Sequence, residues 1–78
     1  MDVSQIYAQM GRNILFLRKH YGVSRKTLAK LLGIPYARLR RVESGEPVVR
    51  MYDFHLKRLA DIFNVSADAL VYEEIENN

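Results

Sequence analysis

The sequence predicts an all-α domain of five helices, and three observations carry that expectation. Apolar residues recur at spacings of three and four along most of the chain. Glycine or proline breaks the pattern at intervals, and a capping residue stands ready to start the next segment. The Val48-Val49 pair is the sole strand-like signal. A length of 78 residues leaves room for one small domain. The 49% hydrophobic and 27% charged composition is that of a globular protein and not of a disordered chain.

The first helix is expected over Val3 to about His20. Ile6, Met10, Ile14, Leu17 and Tyr21 share one face, Asp2 and Gln5 have the spacing of a capping box, and Gly22 ends the segment. Ser24 caps a second helix in which Leu28, Ala29, Leu31 and Leu32 follow at helical spacing until Gly33 stops it. Pro35 suits a first helical turn and pushes Ile34 out of helical conformation, so a third helix spans about 35–43. Ser44-Gly45-Glu46-Pro47 ends it with turn chemistry, and residues 48–50 are expected to be extended or irregular. A fourth helix covers about 51–63, with Leu56, Leu59, Ala60 and Phe63 inward and Asn64 as a left-handed cap. Ser66 caps a fifth helix through about residue 72, with Asp68 near its N-terminal dipole. The domain is therefore expected over 1–72, with 73–78 an acidic, frayed tail.

Composition excludes several classes of function. With no cysteine, disulfide scaffolds and thiolate zinc sites are ruled out. No apolar run approaches the ~20 residues of a membrane span, and Met1-Asp2-Val3-Ser4 does not open like a signal peptide, so a cytoplasmic protein is expected. The two histidines, His20 and His55, stand apart from one another and read as surface or boundary residues, so no metal site is expected. Ser24, His20 and Asp53 lack any nucleophile-elbow context, and no phosphate-binding glycine loop is present. Neither an enzyme nor a cofactor is expected. Charge is uneven along the chain: residues 1–50 hold ten Lys/Arg against three acids, whereas residues 51–78 hold two against six. The basic part suits a polyanion, although charge alone equally describes a solvated surface.

Two short helices joined by a glycine turn form a helix-turn-helix unit. Ala29 is small where the helices cross, Gly33 supplies the turn and Ile34 fills its underside. The stretch Gly22-Val23-Ser24-Arg25-Lys26-Thr27-Leu28-Ala29-Lys30-Leu31-Leu32-Gly33-Ile34 resembles the phage repressor/Cro-type helix-turn-helix family. Arg38-Leu39-Arg40-Arg41-Val42-Glu43-Ser44-Gly45 is similar to that family's recognition helix and its glycine exit, and residues 59–70 resemble its ending. Three features depart from the family pattern. Arg25 replaces a frequent glutamine, Pro35 replaces a Ser or Thr cap, and about two extra residues separate Gly45 from the fourth helix.

On the third helix, Leu39 and Val42 define the apolar side, opposite Ala37, Arg40 and Arg41, with Tyr36 and Arg38 at the flanks. Arginine can bond guanine with two parallel donors, and alanine permits close approach to a thymine methyl. The resemblance matches Tyr36, Ala37 and Arg41 to base-reading positions. Arg41 is expected to be the main reader, Arg40 reads a base or binds phosphate, and Tyr36 alternatively packs on the second helix. Ser24, Arg25 and Lys26 at the start of the second helix are expected at phosphate, as are Arg38 and a clamp made of Ser44 and the Gly45 N–H. The resemblance also implies a structural ion pair between Arg18 and Glu43.

The expected function is thus sequence-specific binding of double-stranded DNA by a bacterial or phage transcriptional regulator, a repressor acting as a homodimer. Two alternatives remain at this point: an antitoxin that also binds a toxin, and a protein-interaction module on the same fold. Leu15 and Phe16 off the first helix face, and Val71, Tyr72 and Ile75 near the end, are either scattered surface hydrophobes or a dimer or partner surface.

Overall fold

A computed structural model describes residues 2–47 and 51–77, so the expectation for residues 48–50 lies outside the described residues. The chain forms α1 (Val3–His20), α2 (Arg25–Leu32), α3 (Tyr36–Glu43), α4 (Asp53–Phe63) and α5 (Ala67–Tyr72), followed by a 3-10 turn at Ile75–Asn77. No strand occurs among the described residues. The fold is the all-α, five-helix one that the periodicity predicts.

The caps explain most of the boundaries. Asp2 and Gln5 exchange reciprocal bonds at the start of α1, Gln5 N–H to the Asp2 carboxylate at 2.9 Å and Asp2 N–H to Gln5 Oε1 at 2.8 Å. Ser24 Oγ accepts from the Thr27 N–H at 3.1 Å, and Ser66 Oγ from the Ala69 N–H at 3.0 Å. Gly33 closes α2 at φ 69°, and Asn64 closes α4 at φ 54°, both in the left-handed region. Two starts differ from expectation. Pro35 is the N-cap of α3, with ψ 144°, and not its first helical residue. Helix α4 begins at Asp53 because the His55 side chain bends back to accept the Tyr52 N–H on Nδ1 at 3.0 Å, which fixes the entry two residues later than the apolar pattern implies.

The core joins every helix. Ile14, Leu28, Leu39, Leu59 and Leu70 are wholly enclosed, with Val42 and Phe63 nearly so. Each such side chain stabilises by about 1.5–3 kcal/mol. Leu31, which shares the apolar spacing of α2, is exposed, whereas Phe16 packs on the core and stacks on His20. Val71 and Ile75 also pack on the core, while Tyr72 is exposed.

Beyond the apolar core, two further features bring α1 close against its neighbours. Gly11 meets the end of α3, where a Cβ would collide with the Val42 carbonyl oxygen. Asn13 is buried and uses its whole amide. Its Nδ2 donates to the carbonyls of Leu70 at 2.8 Å and Glu73 at 2.7 Å, while its Oδ1 accepts from Gln9 Nε2 at 3.1 Å and from the Ile75 N–H at 3.2 Å. This clamp fastens the segment after α5, expected to fray, against α1. No helix among the described residues is long and apolar enough to cross a membrane.

Candidate nucleic-acid interface

Helices α2 and α3 meet across the turn made by Gly33, Ile34 and Pro35. Ile34 is buried beneath this turn, and its N–H donates to the Ala29 carbonyl at 3.1 Å. Leu39, Val42 and Glu43 face inward from α3. The opposite face is open: Tyr36, Ala37, Arg40 and Arg41 are all exposed. Arg38 is half-buried and turns toward α4, where its charge acts on His55.

Glu43 anchors this assembly from below. Its side chain is 2% exposed and receives two arginines. Arg18 donates Nε to Oε2 at 2.7 Å and Nη2 to Oε1 at 3.2 Å, and its Nη1 reaches the Val23 carbonyl at 3.1 Å. Arg25 donates Nε to Oε1 at 2.8 Å. The carboxylate therefore ties α1, α2 and α3 together, and a pair so buried fixes orientation more than it adds net stability.

Several side chains read from sequence as DNA ligands are engaged within the protein. Arg25 was expected at phosphate. Besides Glu43, its Nη1 donates to the Tyr36 hydroxyl at 3.2 Å, and its guanidinium carbon lies 5.7 Å from the Tyr36 ring centre. Its bonds to Glu43 and then to Tyr36 raise its pKa further above the ordinary arginine value, so it stays charged. Tyr36 thus touches α2 through Arg25, yet at 47% exposure it remains open to solvent.

The clamp expected at the end of α3 is corrected by the backbone. The Gly45 N–H donates to the Val42 carbonyl at 3.0 Å, and the Ser44 hydroxyl donates to the Arg40 carbonyl at 2.8 Å. Neither donor faces a ligand, because the chain closes the helix with them. Gly45, at φ 82°, also turns back against Ala8 of α1. The Ser24 hydroxyl donates to Thr27 Oγ1 at 2.9 Å, while Lys26 is exposed at the same helix start.

Three contacts near the interface escape sequence reading. Arg41 Nε meets Glu46 Oε2 at 3.3 Å in a pair exposed on both sides. Arg58 of α4 donates Nε to the Leu31 carbonyl at 2.9 Å, capping the end of α2. His55, read as a surface or boundary residue, is buried. Burial first, and the Arg38 charge second, lower its pKa and keep it neutral, as its acceptor role at the Tyr52 N–H demands. For Arg41 the five-residue separation from Glu46 was the available signal. For His55 it was the three-residue separation from Tyr52 at a helix start.

Comparison with known proteins agrees with this geometry. The helix-turn-helix family matches residues 14–70. Among solved structures, the chain resembles the restriction-modification controller protein C.AhdI from Aeromonas hydrophila, with a TM-score of 0.69 and 25% identity over 82% of this chain and 94% of that one. No curated protein matches the chain. The match runs from within α1 to Leu70 within α5 and so takes in the whole α2–turn–α3 unit. The chain belongs to the repressor/Cro-type helix-turn-helix family of DNA-binding transcriptional regulators.

Proposed function

We propose that the protein is a sequence-specific repressor that binds double-stranded DNA with α3 in the major groove. One observation carries this reading. The face of α3 opposite Leu39 and Val42 leaves Tyr36, Ala37, Arg40 and Arg41 open together, and the two arginines project from a helix narrow enough for the groove. Arg41 reads a guanine after releasing Glu46, Arg40 reads a neighbouring base or binds phosphate, and Ala37 lets the backbone come close. Lys26 and the start of α2, with Ser24 as its cap, bind the phosphate backbone and set the register, and Arg38 adds a backbone contact from the flank. The similarity to a controller protein supports regulation as the output. Repression follows from occupancy of the promoter. Two copies about a twofold axis place their recognition helices about 34 Å apart on a near-palindromic operator.

In vitro selection from a random duplex pool tests the reading. We expect a near-palindromic motif whose half-sites are one helical turn apart. Arg41→Ala is expected to lose about 1–3 kcal/mol and to relax preference at one base position. An equal loss on every sequence would make Arg41 a phosphate ligand. Enrichment of a single half-site would remove the dimer.

A further inference from the structure

Arg25 stands at the start of α2, where a cation would ordinarily be read as a phosphate ligand. Its guanidinium instead completes a chain of bonds. Arg18 holds Glu43 from α1, Glu43 receives Arg25 Nε at 2.8 Å, and Arg25 Nη1 reaches the Tyr36 hydroxyl at 3.2 Å. The chain thus begins at a buried carboxylate and ends on an exposed aromatic side chain at the start of α3. A guanidinium has donors only, so the phenol oxygen accepts this bond. No acceptor among the described residues takes its own proton, which is free to be donated outward.

We propose that Arg25 is a positioning residue that sets both the place and the hydrogen-bonding sense of Tyr36. A free tyrosine hydroxyl turns to donate or accept, so it tells base edges apart poorly. With its acceptor side engaged by Arg25, Tyr36 presents a donor. It therefore selects a base edge that offers an acceptor in the major groove, purine N7, guanine O6 or thymine O4, over one that offers an amino group. The guanidinium near the ring also limits the rotamers of a side chain that would otherwise move freely in solvent. Because Glu43 shares its charge between Arg18 and Arg25, the Arg25 cation is already compensated on its inner side. This assignment rests on the reading of α3 as the helix that enters the groove.

The test combines selection from a random duplex pool with binding measured at several salt concentrations. The proteins are the parent, Arg25→Gln, Tyr36→Phe and the double variant, each confirmed folded by circular dichroism at the assay temperature. Arg25→Gln is expected to relax preference at one base position by about three- to tenfold and to leave the salt slope unchanged. Tyr36→Phe is expected to relax the same position, and the double variant to add nothing further. Tyr36→Phe leaves the Arg25–Glu43 bond in place, so it reports on the proposal even if Arg25→Gln proves too unstable to assay. A uniform loss on all sequences in Arg25→Gln, with a salt slope smaller by about one, would make Arg25 a phosphate ligand and overturn the proposal. Unaltered base preference in Tyr36→Phe would overturn it too. A parent protein that enriches no motif would overturn the groove reading itself, and the assignment of Arg25 with it.

Discussion

Replacing Gly11 by alanine sets helix propensity against packing, and the two predict opposite signs. Gly11 lies inside α1, where alanine ordinarily stabilises by about 1 kcal/mol. Here the added methyl would collide with the Val42 carbonyl oxygen and stand 3.0 Å from the Gly45 nitrogen and 3.2 Å from the Glu43 oxygen. All three atoms are backbone, so no side chain can rotate away to make room. The segment they belong to is also fixed, by the Gly45 N–H bond to Val42 and by the two arginines on Glu43. Relief requires α1 to lift from the end of α3. Overpacking costs typically about 1–3 kcal/mol, and the upper end applies here because backbone must shift, so a net loss of about 2 kcal/mol remains after the propensity gain. For a domain of this size each kcal/mol moves Tm by about 4–8 °C, and Gly11→Ala is expected to melt roughly 8–16 °C below the parent. Thermal melts by circular dichroism, with urea midpoints alongside, measure this directly. A variant that melts at or above the parent temperature would refute the close crossing.

Three further outcomes are expected. Glu43→Ala leaves Arg18, whose side chain is 10% exposed, without its carboxylate and should cost about 3 kcal/mol or more by urea unfolding; a loss below about 1 kcal/mol would contradict the buried pair. Glu46→Gln releases Arg41 and removes a negative charge beside the proposed DNA face. Because the pair is exposed, with side chains 61% and 52% accessible, affinity by fluorescence anisotropy should rise only a few fold, and unchanged or weaker binding would count against Arg41 as a reader. His55 has a lowered folded pKa, so below about pH 6.5 the unfolded chain binds a proton that the folded protein refuses. Its contribution is fully present above that pH and declines as pH falls toward the folded pKa, by at most about 1.4 kcal/mol per pH unit. Urea midpoints at pH 7.5 and 5.5 should differ accordingly, and the same difference in a His55→Gln variant would assign it to other groups.

The helices were legible because their signals are local. Asp2 with Gln5, Ser24 with Thr27 and Ser66 with Ala69 are caps made within four residues of sequence. The apolar side of α3 follows from Leu39 and Val42 alone. Signals that were missed depend on pairs far apart in the chain. Asn13 meets Leu70 and Glu73, and nothing near Asn13 announces that an amide will be buried and fully bonded. Gly11 reads as a weak point in a helix until α3 is seen against it. Leu31 continues the apolar count of α2, yet the core is already filled by Leu28 and Leu32. At the candidate site, sequence showed which residue types stand on α3 but not which donors the fold itself consumes. The Gly45 N–H and Ser44 hydroxyl are both used in ending the helix.

The same distinction governs how the basic residues should be counted. Ten Lys/Arg in residues 1–50 look like a broad electrostatic surface for a polyanion. Arg18 and Arg25 share the buried Glu43, and Arg41 meets Glu46 at the surface, so three of these cations already face a carboxylate of their own chain. Arg18 is also buried and cannot reach a phosphate. Salt dependence reports the phosphates neutralised at contact, not the lysines and arginines in the sequence. Lys26 and Arg40 are exposed, and no salt bridge involves either among the described residues; they are therefore better placed to release counterions than Arg18 or Arg25. Arg18 and Arg25 serve a different purpose. By joining α1, α2 and α3 through one carboxylate, they convert stability of the core into a fixed orientation of the helix that carries Tyr36, Ala37, Arg40 and Arg41. On the proposed reading, the exposed cations set affinity while Arg18 and Arg25 set the orientation of the reading helix, so a substitution that alters one need not alter the other.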